Sequence, residues 1–511
     1  MSTPPSGEWT RVHPVSPLVR GWIALAAFAF ILGRNWVEDF AGSDDGGAPA
    51  RPPDGTTLLI AAAVLAGILL ILAFLFFLSW WFTRYQVTGD HVRVHSGVIF
   101  RQQRQARLDR VQAIDIVQPL LARIFGLAEL RFEVADAGES AVHLAYLKVD
   151  DARTLRALIL GRASGALTST ADSATGDAGT AAAETADPGA ETGPAPGVAE
   201  APEQPILALT PGRVIAATLL SGTMMFLIAG VAAVIILTVV TGAPLSLTIL
   251  LPLLFGAGGG MWTEFSTSFN FRASVSRDGI RIRYGLLDTR TQTVPPGRIQ
   301  AVSVTQPPLW RLTGWYRISV NVAGYGIGSN NAGQARTKLL PAGTLSEVFD
   351  ILALVLPEPG TDRPIDVFTA GITGRDNAAG FATTPRRARW IAPLAWRRNG
   401  FLLTDTALLI RSGALWRVLS VVPHERTQSM ALEQGPLRRR FATSDLVLHS
   451  TPGPVRPRVR KMDDDAARRL FREQAARARE ARRRDRTGSW NSPAPTTSTD
   501  PFSKEIPHEQ R

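Results

Sequence analysis

The sequence predicts a multi-domain membrane protein in which α-helical transmembrane hairpins, with four spans in total, carry three small α+β domains. One residue pattern occurs three times in the same register, which indicates a triplicated unit. Apolar and polar residues alternate within each copy, which is typical of β-strands. Long uncharged stretches precede the first two copies. The 511 residues, of which 45% are hydrophobic, suffice for several domains.

Each copy of the pattern begins at a glycine. Counted from that glycine, an Arg follows at position 13, a Gln at 15, a second Gln at 21, a second Arg at 26 and a small residue at 29. The matching residues are Gly97, Arg110, Gln112, Gln118, Arg123 and Gly126 in the first copy, Gly285, Arg298, Gln300, Gln306, Arg311 and Gly314 in the second, and Gly413, Arg426, Gln428, Gln434, Arg439 and Ala442 in the third. Five matches without an insertion predict that one structural unit is used three times.

The first transmembrane hairpin is predicted over residues 18–82. Its first span is the uncharged run 21–33, which is short for a bilayer but is flanked by Arg20 and Arg34, whose side chains can reach the membrane surface. Its second span lies within residues 56–83, a run of 28 residues without charge. At about 1.5 Å per residue this run exceeds the ~30 Å hydrocarbon core, so it crosses with some tilt.

The second hairpin is predicted over residues 212–263. The 50 residues between Arg213 and Glu264 carry no charge, and this stretch is too long for one crossing. The sequence Thr-Gly-Ala-Pro at residues 241–244 lies near its middle and is typical of a turn. Two further spans are therefore expected, and four spans return the chain to its starting side.

The distribution of basic residues predicts the orientation in the membrane. Residues 33–55 contain two Arg and five acidic residues, whereas residues 84–107 contain five Arg and a single acid, Asp90. Since Lys and Arg concentrate on cytoplasmic flanks, we expect a multi-pass plasma-membrane protein whose N-terminus, C-terminus and three domains are cytoplasmic. The sequence has no cysteine, which excludes disulfides, thiolate metal ligands and a cysteine nucleophile.

Each copy is interpreted as a small antiparallel β-barrel or sandwich capped by a C-terminal helix, with domains over residues 83–162, 265–357 and 386–486. A hairpin pattern opens each copy, and alternating strands follow. Thr344 and Glu347 have capping-box spacing before the apolar positions of a helix, which are Val348, Ile351, Leu352 and Val355. Residues 163–204 and 487–511 are predicted to be disordered, and residues 358–385 are assigned to a linker.

A hydrophobic hairpin, the pattern G-(x)12-R-x-Q, and a later Gln followed by Pro-Leu and Arg together resemble the bacterial pleckstrin-homology-like membrane proteins, the YdbS/YdbT-like group. The third copy is the most similar to that family, in residues 422–429 and 434–440. The resemblance implies a pleckstrin-homology-like fold and a membrane-anchored protein without established enzymatic activity. Ala442 replaces the glycine of the other two copies, which leaves the conformation of that turn open.

The repeated polar residues have two interpretations. As binding residues, Arg110, Arg298, Arg426 and Arg439 would contact phosphate or carboxylate, as in an anionic lipid headgroup, beside Gln112, Gln300 and Gln428. As structural residues, they would satisfy buried backbone groups in turns. Their repetition in every copy favours the structural interpretation.

Two segments of the third copy suit contact with the membrane surface. Residues 456–486 contain 13 basic and six acidic residues, including Arg468, Arg469 and Arg472, on an expected helix. Anionic lipid attracts each nearby base by about 1 kcal/mol. Residues 386–398 place Trp390 and Trp396 between Arg clusters, which is typical of an interfacial segment. A solvated charged helix, and packing of the tryptophans on the third domain, are the alternatives.

Catalytic, metal and cofactor motifs do not occur in the sequence, and His91 and His95 lack a carboxylate that would complete a metal site. The sequence therefore predicts a non-enzymatic scaffold or envelope-stress and resistance factor without a cofactor. Its expected partners are the lipid bilayer, anionic headgroups and either another protein or a second copy, but not nucleic acid. The alternative is a transporter, or an accessory subunit, for a small amphipathic compound, although the expected spans contain no ionisable residue.

Overall fold

A computed structural model describes residues 9–16, 55–88, 91–97, 101–107, 111–134, 142–163, 204–242, 246–276, 279–323 and 337–484. The chain divides into two compact units: Met1–Glu200 with Asp288–Arg290, and Ala201–Leu287 with Thr291–Arg511. The expected first span at residues 21–33, most of the acidic linker and the C-terminal tail lie outside the described residues.

The first unit contains the first copy of the repeat. Its elements are β1 (Thr10–Arg11), α1 (Gly55–Phe82), β2 (Arg84–Val87), β3 (His91–Ser96), β4 (Gln102–Arg107), β5 (Val111–Gln118), α2 (Leu120–Ile124), β6 (Leu127–Val134), β7 (Val142–Lys148) and α3 (Val149–Ala163). Strands β1 to β4 form an antiparallel sheet in sequence order, and β5, β6 and β7 pair in the same way. Their core includes Leu130, Phe132 and Ile159, and Trp80 near the end of α1 packs against it.

The second unit contains the second and third copies. Its elements are β8 (Gln204–Ala208), α4 (Pro211–Leu219), α5 (Gly222–Thr241), α6 (Ser246–Ser268), β9 (Arg272–Ser276), β10 (Gly279–Tyr284), β11 (Thr289–Val294), β12 (Ile299–Gln306), β13 (Tyr316–Val322), β14 (Lys338–Gly343), α7 (Leu345–Val355), α8 (Pro364–Ile372), β15 (Ala382–Thr383), β16 (Gly400–Leu403), β17 (Ala407–Ser412), β18 (Arg417–Pro423), β19 (Ser429–Glu433), α9 (Pro436–Arg440), β20 (Thr443–His449), β21 (Arg458–Asp463) and α10 (Asp464–Arg484).

One sheet of the second unit is shared by two copies of the repeat. Its strand order is β14-β13-β12-β18-β17-β16-β15, so β12 of the second copy pairs antiparallel with β18 of the third. We call this pairing the seam. Ala301 of β12 is fully buried in the hydrophobic core of the third copy. The three domains are rich in β-sheet, as expected, but the second and third are not separate sandwiches.

The glycines of the repeated pattern occupy conformations that side chains disfavour. Gly97, Gly285 and Gly413 have φ angles of 102°, 116° and 79°. A Cβ atom at Gly413 would lie 2.0 Å from the Trp416 carbonyl oxygen. At the last position of the pattern, Gly126 and Gly314 have φ angles of 64° and 67°, and Ala442 has 45°. The turn that the sequence left open is therefore left-handed in all three copies.

Three helices close or brace the domains. Thr344 and Glu347 form the expected capping box on α7, where the Glu347 carboxylate accepts from the Thr344 N–H at 2.7 Å. Helix α8, with Val367 and Phe368 buried, lies within the segment 358–385 that the sequence assigned to a linker. Helix α10 buries Ala467, Leu470, Gln474 and Ala478.

Within the described residues, one helix is long and apolar enough to cross a membrane by length and composition. This helix is α5, with a mean hydropathy of 2.7. A shorter apolar stretch, Ala73–Phe82, ends α1. Helix α6 contains Pro252 and ends in polar residues around Glu264, which lowers its hydropathy. The expectation of four spans is thus not supported beyond α5 in the part of the chain that is described.

Candidate functional site

The second domain is held against the helices on either side of α5. Trp310 is fully buried, and its Nε1 donates to a carbonyl oxygen of α4 at 3.1 Å. Arg213 of α4 donates to the two carboxylate oxygens of Glu347 at 2.8 and 2.9 Å. Arg317 pairs with Glu264 near the end of α6. These contacts fix the second domain next to the ends of the α5–α6 helical pair.

The third domain contacts α5 through the turn between β17 and β18. Trp416 stacks on Phe226 of α5, with ring centroids 5.9 Å apart and an interplanar angle of 7°. A Cβ atom at Gly222, the first residue of α5, would lie 3.3 Å from the Trp416 indole nitrogen. Arg311 of the second domain donates to two carbonyl oxygens of the same turn. The turn therefore contacts both the second domain and the start of α5.

Large apolar side chains are exposed beside these contacts. Leu312, the neighbour of Arg311, is 83% exposed, and Leu415, in the turn itself, is 52% exposed. Leu312 follows Arg311, and Leu415 precedes Trp416, which stacks on α5. Exposed leucines that lie close together are typical of an interaction surface.

A second group of exposed apolar residues lies on the Trp390 loop, residues 386–397. Trp390 and Leu394 are each 73% exposed. The Arg389 guanidinium carbon lies 5.1 Å from the centroid of the Trp390 ring, within cation–π distance. Trp396 is half-buried, so of the two tryptophans expected at the membrane it is Trp390 that is largely exposed.

The Trp390 loop is held firmly at both ends. Ala388 and Ala392, which belong to the loop, are buried. Arg387 donates through Nε to the Phe441 carbonyl oxygen at 2.9 Å. Arg397 donates through Nη2 to Asp376 at 2.6 Å, and this hydrogen bond lowers the pKa of Asp376. The exposed side chains are therefore presented by a fixed backbone.

Helix α9 adjoins this loop, because Phe441 is the residue that follows its last turn. Leu437 of α9 is 55% exposed, and Arg439 and Arg440 are also exposed. Arg438 instead pairs with the buried Asp445 at 3.1 Å. We call the loop and α9 together the Trp390 surface. Its exposed residues include Arg386, Arg389, Trp390, Leu394, Leu437, Arg439 and Arg440.

Two buried arginines brace the domain behind this loop. Arg398 is 3% exposed and donates to the carbonyl oxygens of Gly371, Ile372 and Gly374 at 3.0, 2.6 and 2.8 Å. Arg411 is fully buried and donates to carbonyl oxygens of Ala370 and Asp376. Carbonyl groups at a helix C-terminus lack intrahelical partners and attract cations, so both arginines complete the end of α8. Burial lowers the pKa of Arg398 to about 9 and that of Arg411 to about 10, which keeps both protonated at neutral pH.

In the second copy, the candidate binding residues lie in a turn. Arg298 is half-buried at the end of the 3-10 turn Pro296–Arg298. Gln300 is 8% exposed, and its Nε2 lies 3.4 Å from the Arg298 carbonyl oxygen. This is the backbone contact that the structural interpretation expects. In the first copy, Arg110 lies outside the described residues, and Gln112 lies in β5.

In the third copy, the corresponding glutamine is exposed, whereas the arginine is half-buried as in the second copy. Arg426 lies 3.9 Å from Glu425 in a 3-10 turn, and Gln428 is exposed. Arg439 is exposed on α9, as part of the Trp390 surface. The repeated Arg and Gln therefore have different surroundings in the second and third copies.

The basic C-terminal helix packs on the third domain. Arg468, Arg469 and Arg472 are exposed on the face opposite its buried residues, and Arg468 pairs with Asp464 at 3.3 Å. Arg477 and Arg482 instead donate to backbone carbonyl oxygens of the domain at 3.0 and 2.7 Å. The helix thus combines a structural face with an exposed basic one.

The sequence did not single out Leu312, Leu394 and Leu437 as surface residues, or Arg398 and Arg411 as buried ones. An isolated leucine carries no signal of exposure without the fold. Arg411 is a clearer case, since it is the one charged residue in the strand Ala407–Ser412 and so interrupts an apolar run. Within the described residues, no three His, Asp or Glu side chains are grouped as metal ligands.

A family model described as the bacterial PH domain matches residues 27–163, 215–355 and 369–478. The three matches coincide with the three copies of the pattern and cover most of the chain. No curated protein and no solved structure matches the sequence.

Proposed function

Because the chain belongs to the bacterial PH domain family, we propose that it is a non-catalytic membrane scaffold whose third domain contacts anionic lipid through the Trp390 surface. The observation that carries this proposal is the exposure of Trp390 and Leu394, each 73%, between arginines on a fixed loop. Large apolar side chains exposed together on one fixed loop are typical of an interaction surface, and a membrane interface accommodates both the ring and the flanking charges.

The expected energies are sufficient for contact. Full burial of a large apolar side chain contributes about 1.5–3 kcal/mol, and each Arg near an anionic surface adds about 1 kcal/mol. The stacking of Trp416 on Phe226 already holds the third domain at the start of α5. Because the domain is tethered, this contact requires no further loss of translational freedom.

The proposed anchor is a four-span arrangement in the plasma membrane, with both termini and all three domains cytoplasmic. Helix α5 supports one crossing, and its exposed side chains, such as Val239 at 78%, suit a lipid environment. The absence of cysteine permits a direct test of this topology. Single cysteines at Gly47 and at Glu473 should be labelled by a membrane-impermeant maleimide from the periplasmic and the cytoplasmic side, respectively.

As a scaffold, the protein would hold protein partners near the inner leaflet, in the manner of an envelope-stress or resistance factor. Three domains in one chain offer repeated surfaces for that purpose. The partners would be recovered by crosslinking in intact cells. The lipid contact, in contrast, is testable with the purified protein.

The experiment places an environment-sensitive fluorophore on Leu394→Cys in the full-length protein, reconstituted in nanodiscs with and without anionic lipid. Insertion predicts a blue shift and quenching by lipids that carry spin labels near the headgroup. Asp362→Cys, an exposed position just before α8 and outside the third domain, is the control and should show neither effect.

The effect of arginine substitutions on the quenching distinguishes binding to anionic lipid from mere proximity of the loop to the bilayer. Arg386→Gln with Arg389→Gln should weaken the quenching at position 394 several-fold in anionic nanodiscs and leave it unchanged in neutral ones. Equal quenching at positions 394 and 362 in every lipid mixture would exclude the Trp390 surface as a membrane contact.

A further inference from the structure

Among the sheet edges in the part of the chain that the structure describes, those at β4 and β19 occupy places in the repeat equivalent to those of the two seam strands. Strand β4 is the last strand of the sheet β1-β2-β3-β4 in the first unit. Strand β19 is the first strand of the sheet β19-β20-β21 in the second unit. An open edge presents backbone N–H and C=O groups that can pair with another strand.

The seam shows how two such strands, from different copies of the repeat, pair in this fold. Strand β12 occupies positions 14–21 after Gly285, and β18 occupies positions 4–10 after Gly413. The same positions belong to β19 in the third copy, at 16–20 after Gly413, and to β4 in the first copy, at 5–10 after Gly97. By position in the repeat, β19 therefore corresponds to β12 and β4 corresponds to β18, but neither is paired with a strand of another copy of the repeat.

The exposure of side chains reflects the missing neighbour. Val304, at position 19 of the second copy, is 1% exposed in the seam, where it stands opposite Leu419. Leu432 occupies the same position in the third copy and is 41% exposed. Leu432 thus places a large apolar side chain on an open edge, where a polar residue would protect against pairing.

We propose that β19 of one copy of the protein pairs antiparallel with β4 of a second copy, in the register of the seam. The register of β12 and β18 sets Ser303 opposite Ser420 and Gln306 opposite Arg417. Transferred to the open edges, it sets Ala431 of one copy opposite Arg104 of the other, and Gln434 opposite Arg101.

The transferred register recreates a specific contact of the seam. Arg417 donates through Nη1 to the Gln306 side-chain oxygen at 3.1 Å. Arg101 and Gln434 are the same residue types at the same two positions of the pattern. Gln434 donates through Nε2 to the Thr443 carbonyl oxygen at 3.4 Å, which orients its amide. Arg101, the residue before β4, is exposed.

The charges of the two edges are complementary. Strand β4 contains Arg104 and Arg107 and no acidic residue, whereas β19 contains Glu433 and no basic residue. Pairing of β4 with itself would bring arginines together, which is unfavourable. Pairing of β19 with β4 instead sets Glu433 diagonally next to Arg104. Because this contact is heterologous, it generates a ring or a filament of copies.

The test uses two single-cysteine variants of the full-length protein with different tags, Arg104→Cys and Ala431→Cys, mixed in detergent and oxidised. Directly opposed residues in antiparallel strands have Cα atoms about 4.5–5.5 Å apart, which suits a disulfide. The mixture should give a crosslinked heterodimer in several-fold higher yield than Arg104→Cys with Leu432→Cys, a pair displaced by one residue. Arg104 is exposed and Ala431 is half-buried, and neither belongs to the buried core.

Sedimentation of the wild-type protein supplies a measurement without a substitution, and its mass should rise above that of the monomer with concentration. A crosslink of Ala431→Cys to itself in equal yield would overturn the proposal in favour of self-pairing of β19. Wild-type oligomers without the in-register crosslink would also overturn it, and so would a monomer at every concentration. The proposal does not rest on the membrane contact of the Trp390 surface.

Discussion

Asn321→Ala is expected to destabilise the third domain, although residue 321 belongs to the second. Asn321 is 1% exposed in β13. Its Nδ2 donates to the carbonyl oxygens of Val455 and Thr451 at 2.7 and 3.2 Å, and its Oδ1 accepts from the Val455 N–H at 2.9 Å. One side chain thus satisfies both backbone groups of Val455 across the boundary between two domains.

The magnitude follows from the groups that would be left without partners. Val455 is 4% exposed, and a buried polar group deprived of its hydrogen bond costs about 1–3 kcal/mol. Two such groups give an expected loss of about 2–6 kcal/mol in the free energy of unfolding. Asn321→Asp keeps the acceptor but turns a carboxylate oxygen toward two carbonyl oxygens, so we expect it to be no more stable than the alanine variant.

The assay is pulse proteolysis of the full-length protein in detergent across a urea series, read through an epitope tag at the C-terminus. The tag makes the signal follow the third domain. Asn377→Ala is the control, because Asn377 is exposed, and its hydrogen bond from Thr383, at 2.9 Å, is exposed as well. Surface changes of this kind shift stability by less than about 0.5 kcal/mol. Equal urea midpoints for Asn321→Ala and the wild type would refute the reasoning.

Three further predictions concern the third domain, one of them with a matched variant in the second, and the same proteolysis assay measures them. Ala442→Gly should stabilise the protein by about 1 kcal/mol, because Ala442 has a φ of 45°, and Gly314→Ala should cost a similar amount; a loss in Ala442→Gly would contradict this. Burial lowers the pKa of His424, so the folded state disfavours its charged form; stability should be complete above about pH 6.5 and fall as the pH drops below it, and His424→Gln should flatten that dependence. Arg398→Met should cost about 2–4 kcal/mol, since three carbonyl groups lose their donor, whereas Arg397→Met, which removes an exposed ion pair, should cost less than about 1 kcal/mol.

Much of the local structure could be predicted from the sequence because it depends on neighbouring residues. The hairpin of β2 and β3 sets Tyr85 opposite Val94, as alternation of apolar and polar residues predicts. The capping box of Thr344 depends on three-residue spacing alone. The sequence pattern identified the repeated glycine positions, but it did not predict their positive φ angles.

The seam could not be predicted, because alternation along β12 is the same whichever strand lies beside it. Ser303 and Val304 alternate in the sequence as they would in a separate sandwich, yet their neighbours come from another copy of the repeat. The Trp390 surface was predicted in part. Clustered Trp and Arg indicated an interface, but the division between exposed Trp390 and half-buried Trp396 depends on how the loop folds back on α9.

The shared sheet has a consequence for how this chain can be divided. A cut between α7 and α8, where the sequence repeats itself, would separate β12 from β18 and remove Ala301 from a core that belongs to the other fragment. The boundaries of the sequence repeat therefore differ from the boundaries of the unit that folds together. A further duplication of the repeat would add one more seam and would leave the open edges at β4 and β19 unchanged. Such a protein can therefore lengthen by whole repeats without a new terminal surface.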